Sequence, residues 1–169
     1  MSLKFACFNT EWGWIAVMSS AAGLCRTTLP ASDEKSAIDI VTTGVKATRR
    51  ESDFVEVKNT LTDYFRGKQV DLMFPIDLTL RKCTQFQRDV WETTFRIPYG
   101  QLRNYGWIAD QIGRPQAARA VGQALGANRL PIVVPCHRVV RSDGSLGGFS
   151  GGLHWKEELI KLEKAVFMP

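Results

Sequence analysis

Ile132-Val133-Val134-Pro135-Cys136-His137-Arg138-Val139-Val140 sets a thiol beside one of only two histidines in the chain, at the end of an apolar, β-branched run. Such a run predicts a buried strand-like segment, with the thiol at its end placed at the bottom of a cavity. Pro135 stiffens the entry and biases Val134 toward an extended backbone. The thiolate, not the thiol, is the nucleophile, and an ordinary cysteine is mostly protonated near neutral pH. The neighbouring imidazole and guanidinium are the groups that would raise the ionised fraction. Two readings stand at this point: a reactive nucleophile, or a buried structural cysteine.

Downstream lies Gly144-Ser145-Leu146-Gly147-Gly148-Phe149-Ser150-Gly151-Gly152, with five glycines among nine residues. That density excludes a helix or a stable strand and lets backbone N–H groups approach a ligand. Phe149 inside such a loop reads as the wall of a pocket. A final helix is expected over Leu153–Val166, packed through Leu159, Ile160 and Leu162. Glu163 borders that apolar stripe, where it either orients His137 or is a solvated helix charge.

Upstream the chain reads as helical. Thr84 followed by Gln87 matches a capping box that opens a helix with Phe86, Val90 and Trp91 inward. Ile97-Pro98-Tyr99-Gly100 turns, and Asn104 caps a helix whose Ile108, Ala109 and Ile112 share a face. Gly113-Arg114-Pro115 breaks it, and a second helix is expected from Ala117 to about Gly126. Two short helices joined by a glycine-containing turn predict a helix-turn-helix, whose second helix is the usual reader of DNA. That helix carries Ala117, Ala118, Ala120, Gly122, Ala124 and Gly126, so it can approach another surface closely. The surface is either a neighbouring helix or a narrow groove. Arg119 is its one long cation. Asn128 follows the helix, where side-chain hydrogen bonds tie turns.

Before residue 84 the pattern differs. Phe5–Thr10, Trp14–Ser19 and Leu24–Leu29 alternate like an antiparallel meander. Asp33–Val41 reads as a short helix, and Ser52 as the N-cap of another that Gly67 stops. Pro75–Leu80 reads as an extended connector or an edge strand. The fold class expected is therefore α+β: a small β-meander with helices over residues 1–83, then a mostly helical domain over 84–169.

Bulk properties restrict the function classes. The chain has 169 residues, 44% hydrophobic and 23% charged, ordinary for a globular protein. No apolar stretch is long enough to span a bilayer, so no membrane partner is expected. The start lacks a secretory apolar region, and Cys7, Cys25, Cys83 and Cys136 show no paired spacing. Reduced thiols in a cytoplasmic protein, or a nuclear one in a eukaryote, are expected. The net charge is +5, and its placement matters more than its size. Between Arg103 and Arg141 stand six arginines, one acid (Asp110) and no lysine. Arginine without lysine points either to directional contacts with phosphates or bases, or to a surface that is simply basic.

Residues 84–163 resemble, in register, the O6-alkylguanine-DNA alkyltransferases, also called methylated-DNA–protein-cysteine methyltransferases. The resemblance runs through Thr84-Gln85-Phe86-Gln87, Val90-Trp91, Ile97-Pro98-Tyr99-Gly100, Tyr105, Ala118-Arg119-Ala120-Val121-Gly122, Asn128, Pro135-Cys136-His137-Arg138-Val139 and Ser150-Gly151-Gly152-Leu153. The preceding residues match in layout only, and the resemblance implies an RNase H-like arrangement there. It implies a monomer that binds duplex DNA containing O6-alkylguanine and transfers the alkyl group to Cys136, once and irreversibly, with O4-alkylthymine as a further substrate. Ala117, Ala118 and their neighbours would enter the minor groove, and Arg119 would fill the space of a guanine rotated out of the stack. Tyr105 would crowd the adjacent phosphate and give a proton to guanine N3. The carbonyls of Cys136 and Val139 would accept from the exocyclic amine, and the Ser150 N–H would face O6. Leu125 and Phe149 would line the pocket, Asn128 would link the DNA-reading helix to the reactive segment, and Glu163 would hold His137 as the base for Cys136.

The resemblance implies no metal or organic cofactor. Some relatives bind zinc in the N-terminal half, but residues 1–85 contain no histidine, so no Cys2His2 site is expected there. Many relatives have tyrosine where this chain has Phe149. The competing class is a non-catalytic helix-turn-helix module that binds DNA or senses lesions. It accounts for the arginines and the paired helices but not for a thiol, a histidine and a glycine loop together. A cysteine hydrolase is a third class, with no suggested oxyanion site to support it.

Overall fold

The alternation of Leu3, Phe5 and Cys7 along one strand decides the first layer. In the computed structural model, which describes residues 2–79 and 82–168, these three point to one face of β1 (Leu3–Thr10). β2 (Gly13–Ser20) pairs antiparallel with β1, setting Phe5 opposite Met18 and Cys7 opposite Ala16. β3 (Gly23–Thr27) continues the meander and ends two residues before the Leu29 expected from sequence. α1 (Glu34–Thr42) is capped by Asp33, whose carboxylate accepts from Ser36 N–H. Its Ala37 and Val41 close over Leu3, Phe5, Cys7, Ala16, Met18 and Cys25 to make one core.

A fourth strand was not expected. β4 (Ala47–Arg49) lies parallel to β1, giving the order β3-β2-β1-β4. Ser52 is also not the cap it resembles. It sits inside a 3₁₀ turn, Glu51–Phe54, that leads directly into α2 (Val55–Phe65). Gly67 follows the end of α2 in a left-handed conformation, as a helix stop requires. In the Pro75–Leu80 stretch only Ile76 bridges to Leu24, and Leu80 lies outside the described residues.

The chain divides into two compact units, Met1–Arg81 with Arg129–Val133, and Lys82–Asn128 with Val134–Pro169. The Ile132–Val134 run is buried as expected, but it is not a strand. It turns, and Ile132 takes φ 74°, a conformation costly for a β-branched side chain. Ile132 and Val133 belong, with Arg129, Leu130 and Pro131, to the first unit, where the backbone of β3 receives the segment. Thr27 N–H donates to Arg129 carbonyl oxygen at 2.9 Å.

In the second unit, α3 (Gln85–Phe95) opens with the full capping box between Thr84 and Gln87. β5 (Gln101–Asn104) runs into α4 (Tyr105–Gln111), which Asn104 caps through Trp107 N–H. α5 (Ala118–Gly126) begins one residue after the expected start, with Ala117 as its N-cap. Trp91 of α3 donates its indole N–H to the Ala124 carbonyl at 2.8 Å, and Val121 is fully buried, so the three helices share a core. A single 3₁₀ turn, Cys136–Arg138, then leads to β6 (Val139–Val140). α6 (Leu153–Glu163) ends three residues before the expected Val166, at Lys164 in the left-handed region. The freed residues form β7 (Val166–Phe167), which pairs parallel with β5 in the order β6-β5-β7. Val166 N–H donates to the Gly100 carbonyl there, a bond a longer helix would forgo.

Candidate active site

Cys136 starts its 3₁₀ turn because Pro135 cannot continue a ladder and already fixes its own φ. The residue is 5% exposed and lines a cavity of about 400 Å³. α5 contributes Ala118, Arg119, Gly122 and Leu125 to that wall, α4 contributes Tyr105, and the glycine loop contributes Gly147, Phe149 and Ser150. Of the small residues of α5, Ala118, Gly122 and Gly126 line this cavity together with the exposed Arg119, while Ala124 is buried in the helical core.

Asn128 holds the sulfur. Its amide donates to Cys136 Sγ at 3.2 Å and to the Val134 carbonyl at 3.0 Å. Burial pushes the Cys136 thiol above its ordinary pKa, while the Asn128 bond and the Lys156 charge pull the other way.

In the residue after Cys136, His137 Nε2 lies 2.7 Å from Glu163 Oε1, and both side chains are sealed from solvent. Burial holds His137 below its usual pKa against the pull of Glu163, so the ring is neutral at pH 7. A neutral ring can accept a proton. Burial opposes a charged Glu163, but His137 and Arg138 outweigh it and keep the carboxyl well below the usual range. Arg138 donates to both Glu163 oxygens, at 2.8 and 3.0 Å, and to the Ile97 carbonyl at 2.6 Å. Gly100 N–H adds a fourth donor to Glu163, at 3.2 Å. The carboxylate is fully satisfied, which a buried charge requires.

Two residues of the site, Lys156 and Arg141, carry no expectation from the sequence. Lys156 of α6 is fully buried and donates to the carbonyls of Val139 at 2.6 Å and Gly148 at 3.1 Å, and to the Tyr105 hydroxyl at 3.4 Å. Burial pushes its ammonium down to about 8. A signal was present: Lys156, Leu159, Ile160 and Glu163 recur at three- and four-residue spacing, which puts the lysine on the packed face. Burial pushes the Tyr105 phenol up, so it is a proton donor at neutral pH. Gly147, at φ 68°, leaves room for that hydroxyl, since a Cβ there would stand 2.6 Å from it. Arg141, a second cation in the cavity wall, was also not singled out.

The structure therefore brings together Cys136, Tyr105, Ala118, Arg119, Leu125, Phe149 and Ser150 around one space, with Asn128, His137, Glu163 and the Val139 carbonyl supporting it. Ala117 stands at the helix cap, outside that set.

Residues 85–165 match the family described as 6-O-methylguanine DNA methyltransferase, DNA binding domain. A methylated-DNA–protein-cysteine methyltransferase of Mycobacterium tuberculosis is 50% identical over 105 residues, covering 62% of this chain and 62% of that relative. An inducible methylated-DNA–protein-cysteine methyltransferase of Bacillus subtilis is 46% identical over 104 residues, covering 62% of this chain and 56% of the other. These matched stretches span less than two thirds of either relative. The crystal structure of Mycobacterium tuberculosis OGT in complex with DNA is similar over a longer span, with a TM-score of 0.80 and 35% identity, covering 95% of this chain and 92% of that one.

Proposed function

The chain belongs to the methylated-DNA–protein-cysteine methyltransferase family, and from that premise we infer that it repairs duplex DNA by moving the alkyl group of O6-alkylguanine onto Cys136. O4-alkylthymine is a second substrate of the same chemistry. The observation that carries this reading is that Cys136 lines a cavity shared with Arg119 and Tyr105, and that the next residue, His137, is paired with the buried Glu163.

α4 and α5 act as a helix-turn-helix on the duplex. Ala117, Ala118 and Gly122 leave α5 thin enough to enter the minor groove, and Arg119 fills the gap left by the rotated guanine. Extrusion costs a few kcal/mol, less at a damaged pair, which favours lesions. The exocyclic amine donates to the carbonyls of Cys136 and Val139. The second lone pair of Val139 remains available beside Lys156. Ser150 N–H donates to O6, and Leu125 and Phe149 flank the alkyl group. His137 takes the thiol proton, with a water as relay, and Glu163 stabilises the imidazolium that results. The S–C bond forms as the C–O6 bond breaks, and Tyr105 gives its proton to guanine N3. Holding sulfur and alkyl carbon in line supplies much of the acceleration. The thioether has no comparable leaving group, so each molecule acts once.

Residues 84–169 carry DNA binding and the alkyl acceptor, and residues 1–83, with an RNase H-like layout, serve as scaffold. The protein works as a monomer in the cytoplasm, or in the nucleus of a eukaryotic source. Incubation with duplex DNA containing O6-methylguanine, followed by peptide mass spectrometry, tests the reading. One added methyl on the Cys136 peptide is expected. An unmodified peptide at saturating DNA would instead favour a DNA-binding module without chemistry.

A further inference from the structure

We propose that Thr27 is a positioning residue for Cys136, acting from the first unit through the segment Arg129–Val133. The proposal rests on the alkyl-transfer reading above. The chain leaves the second unit after Asn128, passes five residues through the first, and re-enters at Val134. The two ends of that excursion are what the sulfur depends on. Asn128 donates to Cys136 Sγ and to the Val134 carbonyl, and the Cys136 N–H donates to the same carbonyl at 2.8 Å.

Thr27 grips the excursion twice. Its N–H bonds Arg129, and its hydroxyl donates to the Pro131 carbonyl at 2.7 Å, across 104 residues of sequence. Thr27 is itself buried and anchored, since Thr28 next to it exchanges hydrogen bonds with Ala16 of β2. The residue after Pro131 is Ile132, buried in its left-handed conformation. A β-branched residue stays there only where the surroundings over-determine it. The Thr27 hydroxyl is the side-chain donor that fixes the carbonyl immediately before it. Without it, Ile132 is free to relax toward negative φ. Such a change swings Val134 away from Asn128 and alters the distance between the amide and the sulfur. A displacement of about 1 Å in reacting groups slows transfer by as much as about a hundredfold.

The test uses the full chain with Thr27→Val and Thr27→Ala, which lack the hydroxyl, and Thr27→Ser, which keeps it. Single-turnover methyl transfer from duplex O6-methylguanine is followed at saturating DNA, with affinity for unmodified duplex measured alongside. Both hydroxyl-free variants are expected to react at least about tenfold more slowly at unchanged affinity, while Thr27→Ser reacts as the wild type does. Iodoacetamide labelling of the Cys136 peptide against pH supplies a second readout. Its midpoint should rise in Thr27→Val and Thr27→Ala, because the Asn128 bond to the sulfur is lengthened, and stay put in Thr27→Ser. Wild-type rates and midpoints in the hydroxyl-free variants overturn the proposal, as does an equal loss in all three. If the wild type accepts no methyl, the alkyl-transfer reading fails, and the labelling midpoints still decide the role of Thr27. If Thr27→Val does not fold, Thr27→Ala decides alone.

Discussion

Replacing Glu163 with glutamine changes one atom and removes one charge, and the local geometry dictates the cost. The carboxylate accepts from His137 Nε2, twice from Arg138, and from Gly100 N–H, so both oxygens are fully engaged. A glutamine amide group must replace one of them. At Oε2 it points N–H at the Arg138 Nε–H and the Gly100 N–H. At Oε1 it points N–H at Arg138 and forces His137 Nε2 to become an acceptor. The ring proton then sits on Nδ1, and the nitrogen left for the thiol can no longer take a proton. The same exchange in a serine-protease triad, where a carboxamide stabilises the wrong imidazole tautomer, costs about 10⁴ in rate. We therefore expect Glu163→Gln to slow methyl transfer by about 10³–10⁴ at unchanged affinity for duplex DNA. Stability falls too, by about 3–5 kcal/mol, because Arg138 is left buried without its counter-charge. That difference has a pH signature. Glu163 is held below its ordinary value of 4.5, so its contribution is complete above that pH and fades as acid protonates the folded state. The assay is single-turnover transfer to the Cys136 peptide, with urea unfolding at pH 7 and at acid pH. A variant within threefold of wild-type rate would refute the assignment of His137 as base and Glu163 as its orienter.

Gly147→Ala should slow transfer several-fold by pushing the Tyr105 hydroxyl, whereas Gly148→Ala, whose added carbon meets nothing within 4 Å, should react as the wild type does. Lys156 has a folded-state pKa of about 8 against an ordinary 10.5, so the unfolded chain binds more protons between those values. Wild-type stability relative to Lys156→Met should therefore rise by about 3 kcal/mol as pH climbs through that window, as read from paired urea titrations. Arg119→Ala should slow transfer from duplex lesions while leaving reaction with a free O6-alkylguanine base unchanged, because only the duplex requires a filled gap.

The local signals were legible where one residue type has one job. The Thr84–Gln87 box, the Asn104 cap and the Gly67 stop each specify a hydrogen bond or a backbone sign, and each stands where its chemistry puts it. The contact between His137 and Glu163 is one of two readings the helix pattern leaves open for that acid, and the buried pair at 2.7 Å decides between them. The misses have a common cause in tertiary context. Ile132-Val133-Val134 has strand composition, but its buried backbone turns where the chain passes from the first unit back to the second. β4 spans three residues and is defined by its partner β1 rather than by its own pattern. β7 exists because Lys164 reverses the chain, a left-handed lysine that no propensity favours. Lys156 hid behind its charge: its spacing says buried, its chemistry says exposed, and three oxygen acceptors settle the conflict.

α6 sets Lys156 and Glu163 seven residues apart on one rod, two turns or about 10.5 Å along its axis. The lysine touches Tyr105, the proton donor of the proposed mechanism, and the glutamate touches His137, its proposed base. The helix is thus a gauge bar for a proton ledger with two ends. Inserting a single residue between them would rotate one end by about 100° out of reach of its partner. On the proposed mechanism, donation to the departing base and withdrawal from the sulfur are thereby tied to one piece of hardware, and neither is retuned by sliding the helix without disturbing the other.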